Sequence, residues 1–138
     1  MLVHLNGSLV SRSDARIDPF DRGFVFGDGV YEGLRAFRGQ VRSIERHVAR
    51  LRESLRAARI DFDANRLGRL SEELLHANSL DNAFLYWQFT RGVPGPGQPV
   101  RGRVPEGPMS PTVFGYALER PALERCAEPG TTNAATVE

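Results

Sequence analysis

The sequence contains no lysine; all 18 of its basic residues are arginine. Guanidinium stays protonated and is a poor nucleophile, so no side chain among these 138 residues can form a Schiff base. The planar donor fork of arginine suits carboxylates and phosphates instead. Cysteine is nearly missing too. Cys126 stands alone, which rules out an internal disulfide and a cysteine-rich metal site. The three histidines, His4, His47 and His76, have no metal-ligand spacing, and no nucleophile elbow accompanies them, so no metal and no stand-alone hydrolase is expected. No apolar run approaches the roughly 18 residues of a membrane span, and Met1-Leu2-Val3-His4 lacks the regions of a leader peptide. A soluble, cytoplasmic chain without membrane contact is the resulting expectation. An excess of one charge is also absent: 18 basic against 17 acidic residues leave +1, too little to favour nucleic acid as a partner.

Several elements are legible in what remains. "LVHLNGSLV" at 2–10 alternates around Asn6-Gly7, a strong hairpin signal. "VYEGLRAF" at 30–37 alternates again and turns at Arg38-Gly39-Gln40. The "RGFVFGDG" before it reads as strand-forming sequence weakened by Gly27-Asp28-Gly29, with Phe24, Phe26 and Val30 supplying its stability. Ile44, Val48, Leu51, Leu55 and Ala58 recur at helical spacing after a Ser43 N-cap, and a second helix is expected over 63–77 with Leu67, Leu70, Leu74 and Leu75 inward. "NAFLYWQFTRG" at 82–92 and "PTVFGYALER" at 111–120 read as paired strands, the latter interrupted by Gly115. The glycine- and proline-rich segment between them excludes regular structure and is long enough to suggest function. The fold class is therefore α+β, an antiparallel sheet with two helices packed on one face.

Two positions could carry chemistry. His47, Arg50 and Leu51 share a helix face. Spacing leaves Arg50 open to two readings, a solvated arginine or one that holds an anion against the sheet. Tyr31 shares a strand face with Gly29 and Gly33, opposite Val30 and Glu32, so its phenol is either a packed core group or a polar group over space cleared by glycine. Asp18, Asp21 and Asp28 read as turn formers.

"DRGFVFGDGVYEGLRAFRG" at 21–39, "ERHVARLRESLRAARI" at 45–60 and "YWQFTRG" at 86–92, in that order, resemble the amino-terminal half of the fold-type IV pyridoxal-phosphate aminotransferases. That family includes the D-amino-acid and branched-chain aminotransferases and aminodeoxychorismate lyase. The resemblance implies its small amino-terminal α+β domain over 1–120, with 121–138 as an interdomain linker leading to a second domain. It implies pyridoxal 5'-phosphate as cofactor, Arg50 as the residue gripping its phosphate, and Tyr31 as a substrate-binding aromatic. Arg101 and Arg103 match the loop positions that receive the substrate carboxylate, an arginine standing where the family has histidine, while Arg91 is structural. An amino acid and a 2-oxo acid are the implied substrates. A homodimer, or association with the missing half through an apolar sheet face, is the implied assembly. No catalytic residue is assigned, because the family's Schiff-base lysine has no counterpart here, and the isolated chain is expected to be inactive. A non-catalytic phosphate-binding or regulatory domain and a lyase-like domain are the competing readings.

Overall fold

The chain begins with alternating sequence that folds where its turns allow. A computed structural model describes residues 1–105 and 107–120, so the expected linker at 121–138 lies outside the described residues. Asn6 and Gly7 both adopt positive φ, 50° and 92°, the handedness a two-residue hairpin turn requires. They join β1 (Leu2–Leu5) to β2 (Ser8–Ser11). Arg38 and Gly39 do the same between β3 (Gly29–Phe37) and β4 (Gln40–Val41). β5 (Ala83–Thr90) and β6 (Thr112–Glu119) pair along their whole length, as the sequence leads one to expect. All pairings are antiparallel, in the order β2-β1-β6-β5-β3-β4. The α+β expectation therefore stands.

Residues 22–26 differ from expectation. They form a short helix, α1 (Arg22–Phe26), not the approach to a strand. The buried Asp21 carboxylate caps it by accepting from the Gly23 N–H at 2.7 Å, and Gly27 closes it in the left-handed conformation. These caps override the β propensity of Phe24, Val25 and Phe26. Phe24, 81% exposed, consequently supports no strand.

The two long helices are α2 (Ile44–Ala58) and α3 (Arg66–Ala77). Ser43 is not a side-chain cap: with a φ of 51° its hydroxyl makes no cap hydrogen bond, and its carbonyl accepts from the Arg46 and His47 N–H groups instead. α3 starts later than expected because the Asp63 carboxylate closes a turn on Asn65. Both helices lay their leucines on one sheet face, where Leu51, Leu55, Leu67, Leu70, Leu74 and Leu75 meet Leu34, Leu85, Trp87 and Phe89.

Trp87 is fully buried and donates its indole N–H to Ser71 Oγ at 3.0 Å. Across the β5–β6 register stands Gly115, where an added Cβ would lie 2.5 Å from the indole ring. The strand runs through Gly115 without interruption; the glycine admits the tryptophan. Gly115→Ala should therefore lower stability by about 1–3 kcal/mol through overpacking. Urea midpoints followed by Trp87 fluorescence check this.

The face without helices carries an aromatic row, Tyr31–Tyr86–Tyr116–Phe114, with ring centroids 5.8, 5.4 and 5.9 Å apart. Tyr31 and Leu118 are exposed on it, 68% and 37%. Between them Tyr86, Tyr116 and Phe114 are half-buried. Among the described residues no helix is long and apolar enough to cross a membrane.

Candidate functional site

Among the described residues, the outer edge of β3 is covered from Arg35 to Phe37, where β4 pairs with it and the Arg42 N–H donates to the Arg35 carbonyl. Upstream of that point, alternation sends Glu32 to the helix face and Tyr31 to the other. A carboxylate in register with Leu34 and Ala36 is pushed among apolar groups, and Glu32 is 1% exposed. α2 brings it partners: one turn of helix separates His47 from Arg50, and both reach back to the strand. Arg50 donates from Nε to Glu32 Oε1 at 2.8 Å and from Nη2 to Oε2 at 2.5 Å, while His47 Nδ1 lies 2.8 Å from Oε2. Burial alone would raise the Glu32 carboxyl, but the hydrogen bonds from Arg50 and then His47 outweigh it and hold it below the ordinary carboxylate range. Arg50 is raised in turn by its bond to Glu32.

The outer part of that guanidinium is free for other work. The Arg50 side chain is 62% exposed, and Nη1 carries no hydrogen bond among the described residues. Glu32 thus fixes the plane of the fork from inside while unpaired N–H donors face solvent. Such an arrangement can receive an anion bidentately with little ordering cost. Tyr31 follows on the opposite face, 68% exposed and stacked on Tyr86 with ring centroids 5.8 Å apart. It is an exposed tyrosine, not a packed core residue.

The glycines beside Tyr31 do less than expected. A Cβ at Gly33 would already touch the Phe84 ring at 3.3 Å, and one at Gly29 would meet the Phe89 carbonyl oxygen at 2.8 Å. The space above them is occupied in part by the neighbouring strand's own atoms.

Asp28 is more than a turn former. Its carboxylate accepts from Arg22 Nε at 2.8 Å and from Arg91 Nε and Nη2 at 2.8 and 3.0 Å. Burial would raise its pKa, yet the bonds from Arg91 and Arg22 lower it on balance. Arg91 also donates to the Ala58 and Arg59 carbonyls at the end of α2, satisfying helix-terminal acceptors in the structural role expected of it. Arg22 donates to the Gly102 and Arg103 carbonyls at 2.7 and 3.3 Å.

The four expected site residues therefore fall into two groups. Arg50 and Tyr31 lie at neighbouring positions along β3 but on opposite faces of the sheet, Arg50 through its bonds to Glu32. Arg101 and Arg103 sit in the loop following β5, Arg101 stacked 5.7 Å from the Phe26 ring centroid, and no hydrogen bond, ion pair or ring contact joins either to Tyr31 or Arg50. Glu32 and Arg22 were not singled out from sequence. A signal for Glu32 existed: a carboxylate alternating with Leu34 and Ala36 needs a buried counter-charge, and "HVAR" supplies two candidates at helical spacing. Among the described residues no group of three or more His, Cys, Asp or Glu is placed to hold a metal.

Residues 29–136 match the family model described as amino-transferase class IV. The D-alanine aminotransferase of Listeria monocytogenes is 38% identical over 91% of this chain and 43% of its own length. A protein of Methanocaldococcus jannaschii, provisionally named a branched-chain-amino-acid aminotransferase, is 34% identical over 89% of the chain and 42% of its length. The solved 4-amino-4-deoxychorismate lyase of Pseudomonas aeruginosa superposes with a TM-score of 0.68 at 31% identity, covering 87% of this chain and 40% of that one. The chain thus spans less than half the length of each of these relatives.

Proposed function

The chain belongs to the class IV aminotransferase family, and from that membership we propose that it forms the amino-terminal part of a pyridoxal-phosphate enzyme moving an amino group between an amino acid and a 2-oxo acid. A D-amino acid or a branched-chain L-amino acid is the donor favoured by the relatives. The observation that carries the reading is Arg50, held by buried Glu32 and by His47 with its side chain 62% exposed and donors left unpaired. A phosphate fits this donor set, since the fork is pre-oriented and retains free N–H groups.

When bound, pyridoxal phosphate supplies the carbonyl that accepts the amino group and a conjugated ring that draws electrons from the substrate Cα. The chain's own residues bind and orient. Arg50 grips the phosphate, and Glu32 and His47 keep its guanidinium from swinging into solvent. Tyr31 presents a phenol toward the substrate, and Arg101 and Arg103 receive its carboxylate. Covalent tethering of the cofactor and proton movement at Cα call for a lysine side-chain amine, which these 138 residues lack, so by themselves they turn over no substrate. The exposed aromatic face is the surface for a second half or a second copy, and the working assembly is a cytoplasmic homodimer.

Titration of the chain with pyridoxal phosphate by calorimetry tests the reading. Arg50→Gln should weaken binding by roughly 10- to 100-fold, the loss of hydrogen bonds from a charged donor to phosphate. Equal affinity of the two chains refutes the assignment of Arg50, and negligible binding by both leaves only a remnant of the fold. The structural likeness to the lyase favours a second reading, a lyase domain on the same scaffold. Turnover by the full-length protein separates them, because an aminotransferase requires a 2-oxo acid acceptor and a lyase does not.

A further inference from the structure

We propose that Arg22, seated between Asp28 and the Phe26 ring, is the anchor that positions the glycine- and proline-rich loop and with it Arg101 and Arg103. That these two guanidiniums meet a substrate carboxylate rests on the function proposed above; the anchoring does not.

The loop has little of its own to hold it. Among the described residues of 94–107, the internal hydrogen bonds are short-range, between Gly95 and Gln98 and between Pro99 and Gly102. Among the described residues, the hydrogen bonds reaching this stretch from elsewhere are the two from Arg22 to the Gly102 and Arg103 carbonyls. The Arg22 backbone N–H meanwhile donates to the Gly92 carbonyl at 2.9 Å, so one residue clasps the loop's start and its far limb.

The chemistry of the site explains why arginine stands there. Its side chain is 4% exposed, and a buried guanidinium is tolerable only when its charge and its donors are matched. Asp28 takes Nε, the two carbonyls take Nη1 and Nη2, and the Phe26 ring lies under the guanidinium carbon at 4.6 Å. Arg101 lies 5.7 Å from the same ring centroid. Phe26 therefore joins the anchor to a residue proposed to bind substrate. α1 exists to present Arg22 and Phe26 in this way. The Gly-Asp-Gly that follows ends the helix at Gly27 and supplies the carboxylate at Asp28.

Limited trypsin digestion of the full 138-residue chain, with cleavage after Arg101 and Arg103 timed by mass spectrometry, reads loop opening directly. Arg22→Gln should speed both cuts at least about tenfold, the order expected on losing two hydrogen bonds from a charged donor, while cleavage after Arg56 stays constant. Arg22→Lys keeps the charge toward Asp28, but an ammonium lacks the fork that spans both carbonyls, so fast cleavage should persist. Cleavage restored to the parent rate by lysine overturns the role of the fork. Unchanged cuts in Arg22→Gln, in a chain whose Trp87 emission remains that of a buried indole, overturn the anchor. Should that variant not fold, Phe26→Leu decides, since it leaves the ion pair intact: faster cleavage after Arg101 supports the anchor and an unchanged rate overturns it. Repeating the digestion with 2-oxoglutarate isolates the functional reading. Protection in the parent chain supports carboxylate binding, whereas no protection together with faster cleavage in Arg22→Gln upholds the anchor and removes the carboxylate role.

Discussion

Trp87→Ala is expected to cost the fold about 3–5 kcal/mol, the range for deleting a large aromatic from a packed interior. The side chain is fully buried, edge-on to His4 at 5.2 Å and stacked at 6.4 Å from Phe89. Its removal takes away these contacts and leaves a void that cannot collapse, because β5 is paired on both sides, by β3 and β6. The Ser71 hydroxyl, also fully buried, loses the N–H that it accepts. Urea titration followed by circular dichroism measures the loss. Ser71→Ala, which removes only the hydrogen bond, should cost about 1 kcal/mol, and a Trp87→Ala loss no larger than that would mean the void is filled by rearrangement.

Asp28→Asn is expected to cost about 3 kcal/mol near neutral pH, because it leaves two guanidiniums facing each other without the carboxylate between them. Arg22 is nearly inaccessible at 4% and Arg91 only 18% exposed, so water offers Arg22 little compensation. The dependence on pH has a definite sign. Asp28 has a folded pKa below the ordinary 3.8 of a free carboxyl, so the ionised form is stabilised by folding. Its contribution is present in full above pH 3.8 and is lost as pH falls through the lower folded pKa. The stability gap between parent and Asp28→Asn chains should therefore be constant from neutral pH down toward 4 and narrow in more acid solution. Urea midpoints for both chains across that range check it, and a gap independent of pH would remove the charge from the explanation.

Much of the fold was legible because its signals are local. Asn6-Gly7 and Arg38-Gly39 turn the chain by backbone conformation, and the leucine spacing of α2 and α3 states which helix face is buried. α1 was misread because a run of Phe, Val and Phe favours a strand until its ends are considered, and only the capped geometry of Asp21 and Gly27 overrides it. Ser43 shows the same limit: residue type suggests a cap, while its left-handed backbone goes with no side-chain cap bond.

By itself the sequence determined that no side chain here can form a Schiff base, and that "GDGVYE", "HVARL" and "TRG" stand in an order shared with one family. Composition and motif order are properties of the chain and require no folding. The tertiary structure decided what those motifs do to one another. It seated Arg50 on Glu32, placed Asp28 between Arg22 and Arg91, and tied a loop 80 residues downstream back to Arg22. Apart from Arg22 and Asp28, six residues apart, each of these joins residues that are distant in sequence. Their pairing follows from strand register and helix docking, which place charges together only when the chain has closed around its core.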